Sequence, residues 1–248
     1  MKSYADLIEQ TFEFPQPEFK VKKNELFFHD IPLMDIIKKY ETPLKFTYIP
    51  KIGQNIDNAR GLFNASMKKR KYEGDYIYCY CTKSSHFSFV LEESLAHGAH
   101  IETSSAFDIP LVRKLHEAGK VDKDLYVICN GFKRPLYIKN ITELINDGYH
   151  NCIPVLDNLN ELELYEKGIE GEYQVGIRIA ADEEPNFEFY TSRLGIRYSD
   201  IIPLYKDQIK PSKKAKLKLL HFFINTGIRD SAYYWSELSR FIFKYCEL

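Results

Sequence analysis

Residues 125–156 read LYVICNGFKRPLYIKNITELINDGYHNCIPVL, and this stretch decides the fold. Leu125 to Cys129 is a short apolar run of the kind a buried strand needs. Ile141, Leu144 and Ile145 then recur at helical spacing. Gly148 closes that helix, because glycine enters the left-handed cap without strain. Cys152 to Leu156 is a second apolar strand. A strand, a helix and a strand in such close succession predict a parallel βα unit, since parallel strands need a crossover of helix length.

The same rhythm extends in both directions. Upstream, Tyr76 to Cys81 is a strand, Phe87, Val90, Leu91 and Leu95 mark a helix, and Gly98 stops it. His100 to Glu102 is a strand, and the helix through Ile109, Val112 and Leu115 ends at Gly119. Downstream, Leu159, Leu162 and Tyr165 give a helix closed by Gly168, and Tyr173 to Ala180 and Leu217 to Ile224 are strands. A last helix runs from Ala232 to Tyr245. This α/β chain therefore carries about six of the eight βα units of a closed barrel. It is either an open parallel sheet or a barrel cut after its sixth unit. Before Tyr76, Pro15 and Pro17 break the chain, Leu26 to Ile31 reads as a short strand and Leu33 to Tyr40 as a helix. Thr42-Pro43 stops that helix, and Leu44 to Ile49 alternates as a strand does.

Composition narrows the function. The net charge is −1 and the pI about 6.7, which argues against a nucleic-acid or membrane-surface partner, since either would need a basic face. No stretch approaches the roughly 20 apolar residues of a membrane span, and Met1 to Phe14 lacks the pattern of a signal peptide. The five cysteines are odd in number and form no CxxC pair, so they read as reduced thiols of a cytoplasmic protein.

In a parallel βα protein, function gathers at the C-terminal ends of the strands. The polar residues there are Lys83 and Ser84, Glu102 to Ser105, Asn130 and Gly131, Asp157 and Asn158, Arg178 and Asp182, and Asn225 to Gly227. Alternation puts Ile77, Cys79, Cys81 and Lys83 on one small-sided face, opposite Tyr76, Tyr78 and Tyr80. A lysine pointing into the sheet interior would be desolvated and nucleophilic. Alternatively, Lys83 simply extends from a strand end to solvent. Ser105 to Asp108 has the form of a capping box. His97 and His100 alone do not make a metal site, and none is expected. No nucleotide-binding glycine motif is present.

Several segments taken together resemble the alanine-racemase-like, fold-type III pyridoxal-phosphate decarboxylases. They are Tyr80 to Ser85, Ile101 to Ser105, Val127 to Lys133, Gly176 to Ile179 with Ser192 to Ile196, and Leu219 to Gly227. The third, Val-Ile-Cys-Asn-Gly-Phe-Lys, leans toward the biosynthetic arginine decarboxylases. The resemblance implies that Lys83 holds pyridoxal phosphate covalently and that Arg178 helps hold the ring end of the cofactor. It also implies that Thr226 offers a hydroxyl to the phosphate. Phe223 stands where the family has a histidine stacked on the ring. It can stack, but it cannot hydrogen-bond or carry charge.

The resemblance also divides the chain, with residues 1–50 an N-terminal segment and strand of a β domain and residues 51–248 a partial cofactor-binding barrel. It implies decarboxylation of a basic amino acid, arginine by motif, toward polyamine synthesis, in a homo-oligomer when complete. Diaminopimelate and carboxynorspermidine decarboxylases are neighbours. The family's pyridinium partner, glycine-rich phosphate loop and C-terminal β domain come later in the chain than Leu248, so these 248 residues alone are expected to be inactive. A degenerate relative acting as a binding or regulatory subunit is the alternative, favoured by Phe223.

Overall fold

A computed structural model describes residues 18–180, 194–223 and 231–248. The chain divides into two compact units, one ending at Tyr48 and the other spanning Ile49–Leu248.

In the first unit, β1 (Phe19–Lys22) and β2 (Glu25–Phe28) form an antiparallel hairpin in which Lys22 pairs with Glu25. The turn residues Lys23 and Asn24 both take positive φ, the backbone whose twist matches that of the strands. A short β3 (Ile31–Pro32) pairs with β2, and α1 (Leu33–Tyr40) follows, as its spacing predicts. The strand expected over Leu44 to Ile49 is not formed. Residues 44–48 join no ladder, and Ile49 caps the next helix. Prolines bracket this segment, and Pro50 has the fixed φ that starts a helix. The alternation of Phe46 and Tyr48 instead serves ring packing, with both centroids 5.4 Å from that of Phe28.

The second unit opens with α2 (Pro50–Arg70), then a six-stranded sheet in the order β4 (Cys79–Cys81), β5 (His100–Thr103), β6 (Val127–Cys129), β7 (Cys152–Leu156), β8 (Tyr173–Arg178), β9 (Ala215–His221). All five pairings are parallel. The crossovers contain α3 (Ser88–Ala96), α4 (Ile109–Glu117), α5 (Pro135–Asn146) and α6 (Glu161–Gly168). After β8 come a short α7 (Ile201–Leu204) and a π-helical turn, and α8 (Ser231–Glu247) follows β9. The parallel α/β architecture is as the rhythm of strands and glycine stops predicts. Among the described residues the sheet does not close.

Register assigns the two faces. Ile101, Val127, Cys129 and Cys152 face the helices, where Tyr137 of α5 is 1% exposed and its hydroxyl lies 2.7 Å from Thr103 Oγ1. Cys81, Glu102, Ile128 and Ile153 lie side by side on the opposite face, and Arg178 pairs with His221 there. Among the described residues, no helix is long and apolar enough to cross a membrane.

Candidate functional site

The polar strand ends converge on that inner face. Lys83 Nζ lies 5.1 Å from the centroid of the Phe223 ring, and the Arg178 guanidinium carbon lies 5.8 Å from the same ring. An amine and a guanidinium close to the same aromatic ring form a cation–π arrangement. It brings together residues 140 positions apart in sequence, from 83 to 223.

Lys83 departs from its expected depth. The strand stops at Cys81, and Thr82–Ser84 forms a single 3-10 turn because buried Thr82 turns its hydroxyl to Glu102 O at 3.1 Å. This lifts Lys83 out of the pleat, so its side chain is exposed rather than desolvated. Phe223 is 44% exposed at the far edge of the sheet, and Thr226 lies outside the described residues.

Below this surface is a polar layer that the strand-end reading only partly anticipates. Arg178 Nη1 donates to Asn130 Oδ1 at 3.4 Å and lies 3.8 Å from Asp157 Oδ1. Asn130 Nδ2 donates to Glu102 Oε1 at 3.0 Å and lies 3.3 Å from His221 Nε2. Lys133, its side chain fully buried, pairs with Glu161 at 3.4 Å and donates to Gly131 O at 2.8 Å and to Val155 O. Gly131 is required for this turn: its φ is +85°, and a Cβ there would stand 2.9 Å from Ser104 O.

The charges follow from burial. The His221 imidazole is pushed down to about 4 by its burial and by the positive charges of Arg178, Lys133 and Lys83. Burial pushes the Asp157 and Glu161 carboxyls up, against the pull of Lys133 on both and of Arg178 on Asp157. Ser105 to Asp108 works in reverse of a simple cap. Buried Asp108 accepts the backbone N–H groups of Ser104 and Ser105 at 2.8 and 2.9 Å and meets His86 at 2.8 Å. His97 bonds Asp57 at 2.7 Å, while His100 accepts from the Tyr126 N–H, so the two histidines serve different contacts.

No family model matches the chain. Among solved structures it is similar to the diaminopimelate decarboxylase of M. jannaschii, with a TM-score of 0.69, 15% identity and coverage of 93% of this chain and 54% of that one. The lysine decarboxylase of Selenomonas ruminantium matches with a TM-score of 0.63 and 17% identity, over 93% and 53% of the two chains. The protein SrLDC was solved in complex with PLP and cadaverine. The six-stranded parallel α/β fold is therefore shared with these pyridoxal-phosphate decarboxylases over about half of their chains. By sequence, the chain is similar to the biosynthetic arginine decarboxylase of Shewanella piezotolerans (strain WP3 / JCM 13877), 26% identical over 251 residues, 94% of this chain and 37% of the relative. The chain thus spans little more than a third of the length of the curated relative it matches.

Proposed function

We propose that this chain supplies the cofactor-binding barrel portion of a pyridoxal-phosphate-dependent decarboxylase of a basic amino acid, arginine by the names of its relatives. The observation that carries this reading is the amine of Lys83 and the guanidinium of Arg178 gathered at the ring of Phe223, at the strand ends where the family resemblance expects the cofactor.

The residues fit the group. Pyridoxal phosphate needs an amine, a cationic donor and a flat apolar surface, and Lys83, Arg178 and Phe223 offer these within 5.8 Å of one ring. When bound, the cofactor supplies an electron sink for the charge left as carbon dioxide departs. Lys83 would hold the cofactor through its amine, and its exposure leaves that amine accessible. Arg178, buried between Asn130 and Asp157, holds a fixed positive charge at the ring end. His221 stays neutral at neutral pH and adds no competing charge. By this reading the amino acid is the small-molecule partner, Thr226 is the residue that would offer a hydroxyl to the phosphate, and the complete protein is a cytoplasmic homo-oligomer in polyamine synthesis. Because the sheet is open among the described residues, turnover by residues 1–248 alone is not expected.

Pyridoxal phosphate followed by borohydride and peptide mapping tests the assignment. The pyridoxyl label is expected on Lys83 and absent from Lys83→Ala. A label spread over surface lysines, or one retained by that variant, overturns it. Phe223 favours a second reading, because it leaves no titrating group on the ring face. If the protein takes the label on Lys83 yet, together with the remainder of its site, releases no carbon dioxide from arginine, lysine or diaminopimelate, it is a binding relative.

A further inference from the structure

One amide settles the direction of three side chains in the sheet interior. Asn130 is 6% exposed and sits on a rigid turn. Its backbone N–H donates to Thr103 O at 3.0 Å, its carbonyl accepts from the Tyr137 hydroxyl at 3.3 Å, and Lys133 holds the next carbonyl. A primary amide offers one carbonyl acceptor and an NH2 donor group. Here the carbonyl takes Arg178, and the NH2 group faces Glu102 and His221. The opposite orientation would set the carbonyl against the Glu102 carboxylate and leave two donor groups, the guanidinium and the NH2, facing each other. The chemistry therefore selects the orientation.

The tautomer of His221 follows. With Asn130 donating, Nε2 is the acceptor and the ring proton sits on Nδ1, which is buried without a partner among the described residues. Arg178 on β8, Lys133 after β6 and Lys83 after β4 are the positive groups near the ring, and Glu102 on β5 is linked to it through the Asn130 amide.

We propose that Asn130 is a positioning residue of the Lys83 site, aiming Arg178 and Glu102 and fixing the His221 tautomer through its single amide. The assignment to the cofactor site rests on the function proposed above, but the geometry can be tested without the cofactor. Long-range 1H–15N correlation spectra of the full chain, free of cofactor, read the protonation of each imidazole nitrogen. The wild-type protein is expected to show His221 neutral with its proton on Nδ1. Asn130→Asp exchanges the donor for a carboxylate, repels Glu102 and offers Nε2 an acceptor. His221 should then titrate higher by about one pH unit or more, a tenfold gain in proton affinity. Asn130→Ser, which shortens the side chain, should let both tautomers appear.

A proton on Nε2 in the wild-type protein overturns the proposal, whatever the variants do. So does a His221 signal unchanged in both tautomer and titration in the folded variants. A second measurement separates this inference from the function. Pyridoxyl labelling of Lys83 should slow about tenfold in Asn130→Asp, as expected for lost positioning. Unchanged labelling overturns the positioning role. If wild-type Lys83 takes no label at all, the proposed function fails, while the imidazole spectra still decide what Asn130 holds.

Discussion

Along β7 and β8 every side chain but Gln174 is buried, whereas along β4 none is fully buried and along β9 only Ala215 is. The middle of the sheet carries the fixed polar layer of Asn130, Lys133, Asp157, Glu161 and Arg178, all of them buried. The edges carry the amine of Lys83 and the ring of Phe223, both exposed. The buried polar layer and the exposed candidate site thus lie on different strands of one sheet. A central ion pair can be held in register by covering strands and helices. By the proposed function the Lys83 amine has to meet an incoming ligand, and it could not be buried in the same way.

The largest expected effect is at the centre. Glu161→Ala leaves the fully buried Lys133 without its carboxylate and removes the acceptor of the Asp157 N–H. The cost should be about 3–5 kcal/mol, read from the urea midpoint. A smaller effect comes from His221. Its folded-state value near 4 lies below the ordinary 6.5, so the unfolded chain binds more protons between those values. Its contribution is fully present above pH 6.5 and is lost as pH falls toward 4. The loss amounts to at most about 3 kcal/mol. His221→Gln should remove that part of the acid sensitivity, so melting temperatures of the two proteins should converge or cross over that range.

Tyr137→Phe deletes one hydroxyl shared by Thr103 and the Asn130 carbonyl and should cost about 1 kcal/mol in the same unfolding assay. At the edges, Lys83→Ala should change stability by less than about 0.5 kcal/mol while abolishing the pyridoxyl label. Phe223→Ala should likewise leave the fold intact but weaken cofactor retention by about 1 kcal/mol, measured by equilibrium dialysis. An edge variant that unfolds the protein, or a central one that leaves it unaffected, would break the division between middle and edge.

The alternation of strands with glycine-stopped helices was legible because each βα unit carries its own signals. Gly98, Gly119 and Gly148 all take positive φ where a helix must end. The long helix Pro50–Arg70 carries no comparable signal. It buries only Gly53 and Ile56, so its sequence shows little of an apolar stripe. Leu44 to Ile49 misled because ring packing on Phe28 produces the same alternation as a strand. The depth of Lys83 was illegible because a hydroxyl on Thr82, bonded to the neighbouring strand, ends the pleat one residue too early. The Asn130 layer is a tertiary fact. Its partners lie 28, 48 and 91 positions away, and only the strand order brings them together.

The sheet order has a further consequence for how the chain behaves in company. Among the described residues, β4 and β9 each pair on one side only, which leaves both as templates for a foreign strand. They are defended differently. β4 is three residues long, too short to nucleate much pairing. β9 is seven residues long but bears exposed Lys216 and Lys218, and an approaching strand would have to strip water from both charges. Length guards one flank and charge the other. Only the second guard is sensitive to ionic strength, because salt shortens the reach of charge to about 10 Å at 0.1 M and less above it. Salt should therefore loosen the β9 flank first and draw copies of the chain together along that side.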